Sequence, residues 1–145
     1  MTAMFSPMEE PETAPFFEAA QRGELRIQAC TNCGRLRFPP RPMCPWCHSL
    51  ESQWQRQSGR GRIWSFAVPH PPLLPPFAEE APYVVAVIEL EEDPLIRLVG
   101  NILREVDGSL GAVSGTELTI GARVTAVFGS SVEGFPVPQW VMRAD

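Results

Sequence analysis

The second half of the chain repeats short hydrophobic segments that are separated by turns. Apolar and polar residues alternate, or apolar residues run unbroken, over residues 62–68, 82–90, 95–103, 122–128 and 135–142. Alternation with a period of two is typical of a half-buried β-strand, whereas the unbroken segment 82–90 indicates a strand buried on nearly both faces. Pro136 and Pro138 mark the last segment as an edge strand. Five strands without a long helix predict a small Greek-key barrel of the OB type.

A short helix is predicted before the first of these segments. Thr13 is placed as its cap, Pro15 in its first turn and Gly23 at its end. Phe16 and Phe17 give the helix one apolar face, which packs on its own domain or docks on a partner.

Three further strands are expected between the helix and the barrel, over residues 25–28, 35–38 and 50–57. Trp54 in the last of them is placed to cover this part of the chain, and residues 58–61 are expected to form a turn. The division predicted from these patterns is an N-terminal tail and helix at 1–24, a metal-binding ribbon at 25–57 and the barrel at 58–145.

All four cysteines of the chain lie in the ribbon, in two C-x-x-C pairs with ten residues between them: Cys30, Cys33, Cys44 and Cys47. A C-x-x-C turn directs two sulfurs at one point, and two facing turns supply a tetrahedral set of four thiolates, which suits zinc. Gly34 can adopt the positive φ that such a turn requires after its second cysteine. The spacing predicts a rubredoxin-like zinc ribbon with one structural zinc ion.

Other interpretations of the cysteines stay open. Two structural disulfides would need an oxidising compartment, and the chain has no signal-peptide pattern. Iron in the same site would make the protein an electron carrier, as in rubredoxin. His48 adjoins Cys47 and could replace a sulfur ligand, but the four cysteines already fill the site.

Residues 69–77 contain five prolines and are expected to form a stiff, apolar surface loop without helix or strand. Such a segment either connects two strands or recognises a partner, because it loses little entropy on binding. His70 has no obvious base or nucleophile beside it, so it is not assigned a catalytic role.

The formal net charge of −5 weighs against nucleic acid as a partner, because phosphate binding requires a basic face. A single-stranded nucleic-acid binder that stacks bases on Trp64 and Phe66 remains an alternative, although these aromatics are expected to be buried in the core. All twelve basic side chains are arginine. No segment is long enough to span a membrane, and a cytoplasmic location is expected if the thiolates stay reduced.

No catalytic constellation is evident in the sequence. Every cysteine belongs to the metal motif, the two histidines are isolated, and neither a nucleophile elbow nor a phosphate-binding glycine motif occurs. The carboxylates at residues 79–80 and 89–93 have the pattern of solvated turns. No catalytic residue is therefore assigned.

The order of these features resembles a known family, the zinc-ribbon/OB-fold acyl-CoA-associated proteins catalogued as domain of unknown function family 35. The matching motifs are Phe16-Phe17-Glu18, Gly23-Glu24-Leu25, Cys30-x-x-Cys33-Gly34, Phe38-Pro39-Pro40-Arg41, Cys44-Pro45-x-Cys47, Ser58-Gly59-Arg60-Gly61, Pro82-Tyr83-Val84-Val85-Ala86-Val87 and Gly121-x-x-Val124. Each motif alone is weak, but their order from residue 13 onward is specific.

The resemblance implies a non-catalytic accessory subunit that binds a thiolase-fold enzyme as a hetero-oligomer. Family members accompany acyl-CoA chemistry, including thiolytic or retro-aldol cleavage of steroid side chains in lipid degradation, and some act with enoyl-CoA hydratases. The barrel is expected to contact the acyl-CoA at the shared interface or to complete the partner's active site. A heterotetramer built on a thiolase-fold dimer is the expected assembly, and the metal ligands carry over onto the four cysteines.

Overall fold

The computed structural model describes residues 10–129 and 136–144. Its helices and strands are, in chain order, α1 (Ala14–Gln21), β1 (Leu25–Cys30), β2 (Leu36–Arg37), β3 (Ser52–Gln57), β4 (Arg60–Ala67), α2 (Pro75–Ala78), β5 (Val85–Leu90), β6 (Arg97–Leu103), β7 (Arg123–Val127) and β8 (Gln139–Met142). Two single-turn 3₁₀ helices lie between β6 and β7. Within the described ranges, no helix combines the length and the apolar character that crossing a membrane demands.

The strands form one three-stranded sheet and one closed five-stranded barrel. Strand β1 lies between β2 and β3 in a three-stranded antiparallel sheet. The other five strands close into a barrel in the order β4-β5-β6-β8-β7, with β7 pairing back onto β4. The β6–β8 pair is parallel and the other pairs are antiparallel. The predicted fold class, a mainly β chain with one short N-terminal helix, a ribbon and a five-stranded OB-type barrel, is confirmed.

Strand β5 shows how the barrel is filled. Ala86, Ile88 and Leu90 are buried, while the residues between them are half-buried. The prediction that both faces of this strand are nearly buried was wrong for the outer face, which is only half-buried. In a barrel, one face of each strand is enclosed and the other is only partly covered.

Strand β8 is not the edge strand that its prolines predicted. It pairs with β6 on one side and β7 on the other, and Trp140 at its centre is completely buried. Pro136 and Pro138 precede the strand, so they remove no N–H group from either ladder. Residue 135, where the predicted strand began, lies outside the described residues.

Two local predictions also need correction. Strand β4 begins at Arg60, inside the expected turn, and a side chain at Gly61 would meet the Ile88 Cγ2 atom at 2.6 Å. The glycine therefore permits close approach of β4 to β5. The segment 69–77 does contain helix, because α2 begins at Pro75, and prolines are tolerated in the first turn of a helix.

Helix α1 packs on its own chain. The Phe16 ring contacts those of Phe17 and Phe38, with centroids 5.4 Å and 5.6 Å away, and joins Leu25 and Ile27 of β1 in one hydrophobic cluster with the barrel core. Trp54 is half-buried against the same cluster. Thr13 occupies the N-cap position without capping the helix, since its hydroxyl bonds with the backbone of Glu10.

Candidate metal centre

The first cysteine turn is built on the end of β1. Cys30 is the last residue of that strand, and its backbone N–H donates to the Arg35 carbonyl at 2.9 Å. Gly34 donates its N–H to the Cys30 carbonyl at 2.9 Å and has a φ of 78°. The chain therefore reverses within five residues and directs the Cys30 and Cys33 side chains to one side.

The second turn repeats the same backbone pattern. Cys44 donates its N–H to the Ser49 carbonyl at 2.9 Å, and the N–H of His48 donates to the Cys44 carbonyl at 2.9 Å. His48 has a φ of 63° and corresponds to Gly34 of the first turn. Its exposed side chain is not part of the sulfur cluster. His48 thus contributes its backbone conformation and N–H group to the turn, and not its side chain. Its position directly after the second cysteine of the pair is the sequence signal for this role.

The two turns bring the four sulfurs together. The Sγ atoms of Cys30, Cys33, Cys44 and Cys47 all lie within 4.8 Å of one another, with 3.5 Å between Cys30 and Cys47 and 3.7 Å between Cys33 and Cys44. All four cysteines are free, so the disulfide interpretation is not supported. Four convergent thiols at these separations fit one tetrahedral metal ion, and thiolate ligands favour zinc.

Backbone N–H groups prepare two of the thiols for ionisation. The N–H of Cys33, 3.4 Å from the Cys30 sulfur, is the main cause that lowers the pKa of Cys30 to about 6. Burial opposes ionisation of Cys44, but hydrogen bonds from the N–H groups of Cys47 and Trp46 and from the Cys33 and Cys47 side chains together lower the pKa of Cys44.

Cys33 differs from these two. The N–H of Arg35 favours its thiolate, yet burial and the three neighbouring cysteine sulfurs together raise the pKa of Cys33 to about 11. A cation that binds four thiolates must displace the proton of Cys33, so metal affinity should increase with pH.

A buried polar clamp holds the connector between the two turns. Arg37 of β2 is only 2% exposed; its Nε donates to the Gln28 side-chain oxygen at 2.9 Å and its Nη2 to the Arg41 carbonyl at 3.0 Å. The Arg41 N–H donates to the same Gln28 oxygen at 2.7 Å. The clamp fixes the proline-rich connector that precedes Cys44, and it was not predicted, because no local pattern links Gln28 to Arg41.

The metal turns have almost no hydrophobic core of their own. Of residues 30–49, only Cys30, Arg37 and Cys44 are buried. Apolar burial therefore cannot hold this segment, and a bound metal is the interaction that can.

The other residues singled out in the sequence lie apart from this centre. His70 is exposed, and its Nδ1 contacts the Val68 carbonyl at 2.9 Å. Trp64 was expected to be buried, but it is 47% exposed, and the Arg97 guanidinium lies 3.9 Å from its ring centroid. The expectation was wrong because Trp64 points outward from the barrel, whereas Phe66 is partly buried against the core.

Comparison with known proteins places both parts of the chain. The model described as "ChsH2, rubredoxin-like zinc ribbon domain" matches residues 17–52, and "ChsH2, C-terminal OB-fold domain" matches residues 54–129. Together with the converging sulfurs, the first match confirms the predicted zinc ribbon.

A chain of the Ltp2-ChsH2(DUF35) aldolase superposes with a TM-score of 0.81 at 33% identity, and the match covers 94% of this chain and 98% of that one. The 3-oxo-4,17-pregnadiene-20-carboxyl-CoA hydratase alpha subunit of Mycobacterium tuberculosis is 37% identical over 100 residues, which are 69% of this chain and 30% of that protein. A DUF35 domain-containing scaffold protein of Methanocaldococcus jannaschii is 39% identical over 101 residues, 68% of this chain and 63% of that protein. The chain thus spans less than two thirds of these two curated relatives.

Proposed function

This chain belongs to the ChsH2 (DUF35) family of zinc-ribbon and OB-fold proteins, and on that basis we propose that it is an accessory subunit of a thiolase-fold enzyme that acts on acyl-CoA. In this proposal the chain performs no chemistry itself. It binds the enzyme and helps to form or stabilise its acyl-CoA site.

The observation that carries the proposal is the near-complete match to a chain of an aldolase assembly. The match covers 94% of this chain, and therefore helix, ribbon and barrel alike, and 98% of the matched chain. The relatives named as a hydratase alpha subunit and as a scaffold protein also suggest a polypeptide that works within an assembly. The carboxyl-CoA in the hydratase's name supports an acyl-CoA, and a steroid side chain in particular, as the substrate class.

The described part of the chain supports a non-catalytic role. Among the described residues, one group of three or more His, Cys, Asp or Glu side chains lies close enough to bind a metal ion, and it is the cysteine cluster. Its four sulfurs fill all four positions of a tetrahedral ion. A catalytic metal site would keep one position open for water or substrate. We therefore assign Cys30, Cys33, Cys44 and Cys47 as ligands of one structural zinc ion.

The proposal is tested by isolating the tagged chain from its native source and identifying what copurifies. We expect a thiolase-fold enzyme in a fixed ratio to the chain, and one zinc ion per chain. The enzyme is then produced with and without the chain and assayed for cleavage of acyl-CoA substrates, steroid side-chain thioesters first. A thiolase-fold enzyme that is fully active alone and forms no complex would refute the proposal.

A further inference from the structure

A groove of about 540 Å³ separates the ribbon from the barrel, and arginine side chains predominate among its charged residues. Arg35, Arg37 and Arg41 line it on the ribbon side, and the β5–β6 turn with Leu95 lines it on the barrel side. Trp46 of the second metal turn completes it. We call this feature the arginine groove.

The arginine groove carries three arginines and one carboxylate, that of Asp93, and none of these arginines is held in an ion pair within the described residues. Six arginines elsewhere form ion pairs with Glu24, Glu91 or Glu117: Arg22, Arg26, Arg56, Arg60, Arg104 and Arg143. None of the three groove arginines forms an ion pair with a carboxylate in residues 10–129 or 136–144. The carboxylate that lines the groove, Asp93, already accepts the Leu95 N–H at 3.0 Å. A chain with a net charge of −5 thus carries a local excess of positive charge, three arginines against one carboxylate, without ion pairs between them.

One of the three groove arginines, Arg37, is buried and held in place by hydrogen bonds. Its side chain is 2% exposed, and its buried Nη1 atom has no hydrogen-bond partner, while Nε and Nη2 are held by the clamp described above. A buried guanidinium nitrogen without a partner is costly, and an anion in the groove would compensate its charge.

Apolar side chains at the same place indicate what kind of anion fits. Trp46 is 48% exposed with the Arg35 guanidinium 5.3 Å from its ring centroid, and Leu95 is 79% exposed. A free phosphate would engage the arginines and leave these two uncovered. A protein segment with a carboxylate beside apolar side chains would use both, and tryptophan and arginine are the residue types enriched at the centres of protein interfaces.

We propose that the arginine groove receives an acidic segment of the partner enzyme, whose carboxylate pairs with Arg35 and Arg41 in front of Arg37. This inference rests on the proposed function, because it requires that a thiolase-fold partner exists. The contact is charge-assisted and lies between planar guanidinium and carboxylate groups, for which lysine is not an equivalent replacement.

The absence of lysine from the chain allows a direct test. Arg41→Lys places the only side-chain amine of the chain in the groove, where a zero-length carbodiimide can couple it to a neighbouring carboxylate. The side chain of Arg41 can be changed without loss of the clamp, because the clamp uses its backbone. Arg56→Lys is the matched control, since Arg56 is exposed on β3, on the opposite side of β1 from β2.

In the complex with the thiolase-fold enzyme, we expect the cross-linked peptide to join position 41 to an Asp or Glu of the partner, and no such product from the Arg56→Lys chain. The Arg35→Gln/Arg41→Gln chain should bind the enzyme at least about tenfold more weakly, and Arg56→Gln within about twofold of the unaltered chain. Inorganic pyrophosphate is titrated in parallel as a small-anion probe.

Two results would overturn the inference while leaving the proposed function intact. One is unchanged enzyme affinity of the Arg35→Gln/Arg41→Gln chain, including the case in which only pyrophosphate binding is lost, which would make the groove a small-anion site. The other is a cross-link from position 41 that reaches Asp93 alone. Failure of the unaltered chain to bind any thiolase-fold enzyme would instead overturn the proposed function and this inference with it.

Discussion

Removal of the metal should disorder the two cysteine turns and spare the barrel. The perturbation is chelation of the metal or Cys44→Ser, which exchanges a buried ligand for a much poorer one. The segment at risk is 30–49, in which only three residues are buried. Strand β1 before Cys30 is different, because Leu25 and Ile27 belong to the core that includes the barrel.

The magnitudes explain why the segment depends on the metal. At the lower end of the measured range, ordering these twenty residues costs ~20 kcal/mol of backbone entropy. Leu36 and Phe38 are half-buried, and even full burial of both would contribute only ~3–6 kcal/mol. A structural zinc ion contributes ~10–16 kcal/mol. Metal binding and apolar burial together therefore come close to offsetting the entropy cost, which apolar burial alone does not.

Hydrogen exchange followed by mass spectrometry measures this directly. With chelator, amides of residues 30–49 should exchange at nearly the rate of an unfolded chain, while β4–β8 and the β1–β3 pairing at residues 25–29 and 53–57 keep most of their protection. Cys33→Ser should give the same pattern as Cys44→Ser. Equal loss of protection in the ribbon and the barrel, or full protection of residues 30–49 without metal, would refute the reasoning.

Three further predictions concern the barrel, its charges and the metal. Gly61→Ala should lower the free energy of unfolding by about 1–3 kcal/mol in a denaturant titration, since the new methyl group would lie 2.6 Å from Ile88 Cγ2; an unchanged midpoint would show that β4 and β5 can separate there. The hydrogen bond from Arg143 is the main cause that lowers the pKa of Glu91, so this pair stabilises the fold above the unfolded-state pKa and its contribution is lost as pH falls through the lower folded pKa. Glu91→Gln should therefore flatten the acid side of the stability-versus-pH curve measured by thermal melts, and an unaltered acid limb would contradict this assignment. The purified protein should be colourless with one zinc per chain by atomic absorption, whereas visible charge-transfer bands would indicate iron and an electron carrier.

The sequence by itself determined the features that depend on neighbours a few positions apart. Two C-x-x-C turns were sufficient to identify the sulfurs that meet, because each turn is a local hairpin that directs its own pair. Alternation of apolar and polar residues located the barrel strands to within a few residues, since period two is a property of one strand. Gly34 was predicted from the conformation that its turn requires, and the same logic applied to the position of His48 would have predicted that residue too.

Only the tertiary structure decided which strands are neighbours and which faces are covered. The prolines near β8 suggested an edge, yet β8 pairs on both sides and Trp140 is completely buried. Pairing between distant segments leaves no local pattern that could have predicted this. For the same reason Trp64 was wrongly assigned to the core. The arginine groove has no sequence signature, because its arginines and the β5–β6 turn are far apart in the chain and meet only in the fold. Burial and unbalanced charge arise from segments that are far apart in the chain, and the proposed partner contact depends on both.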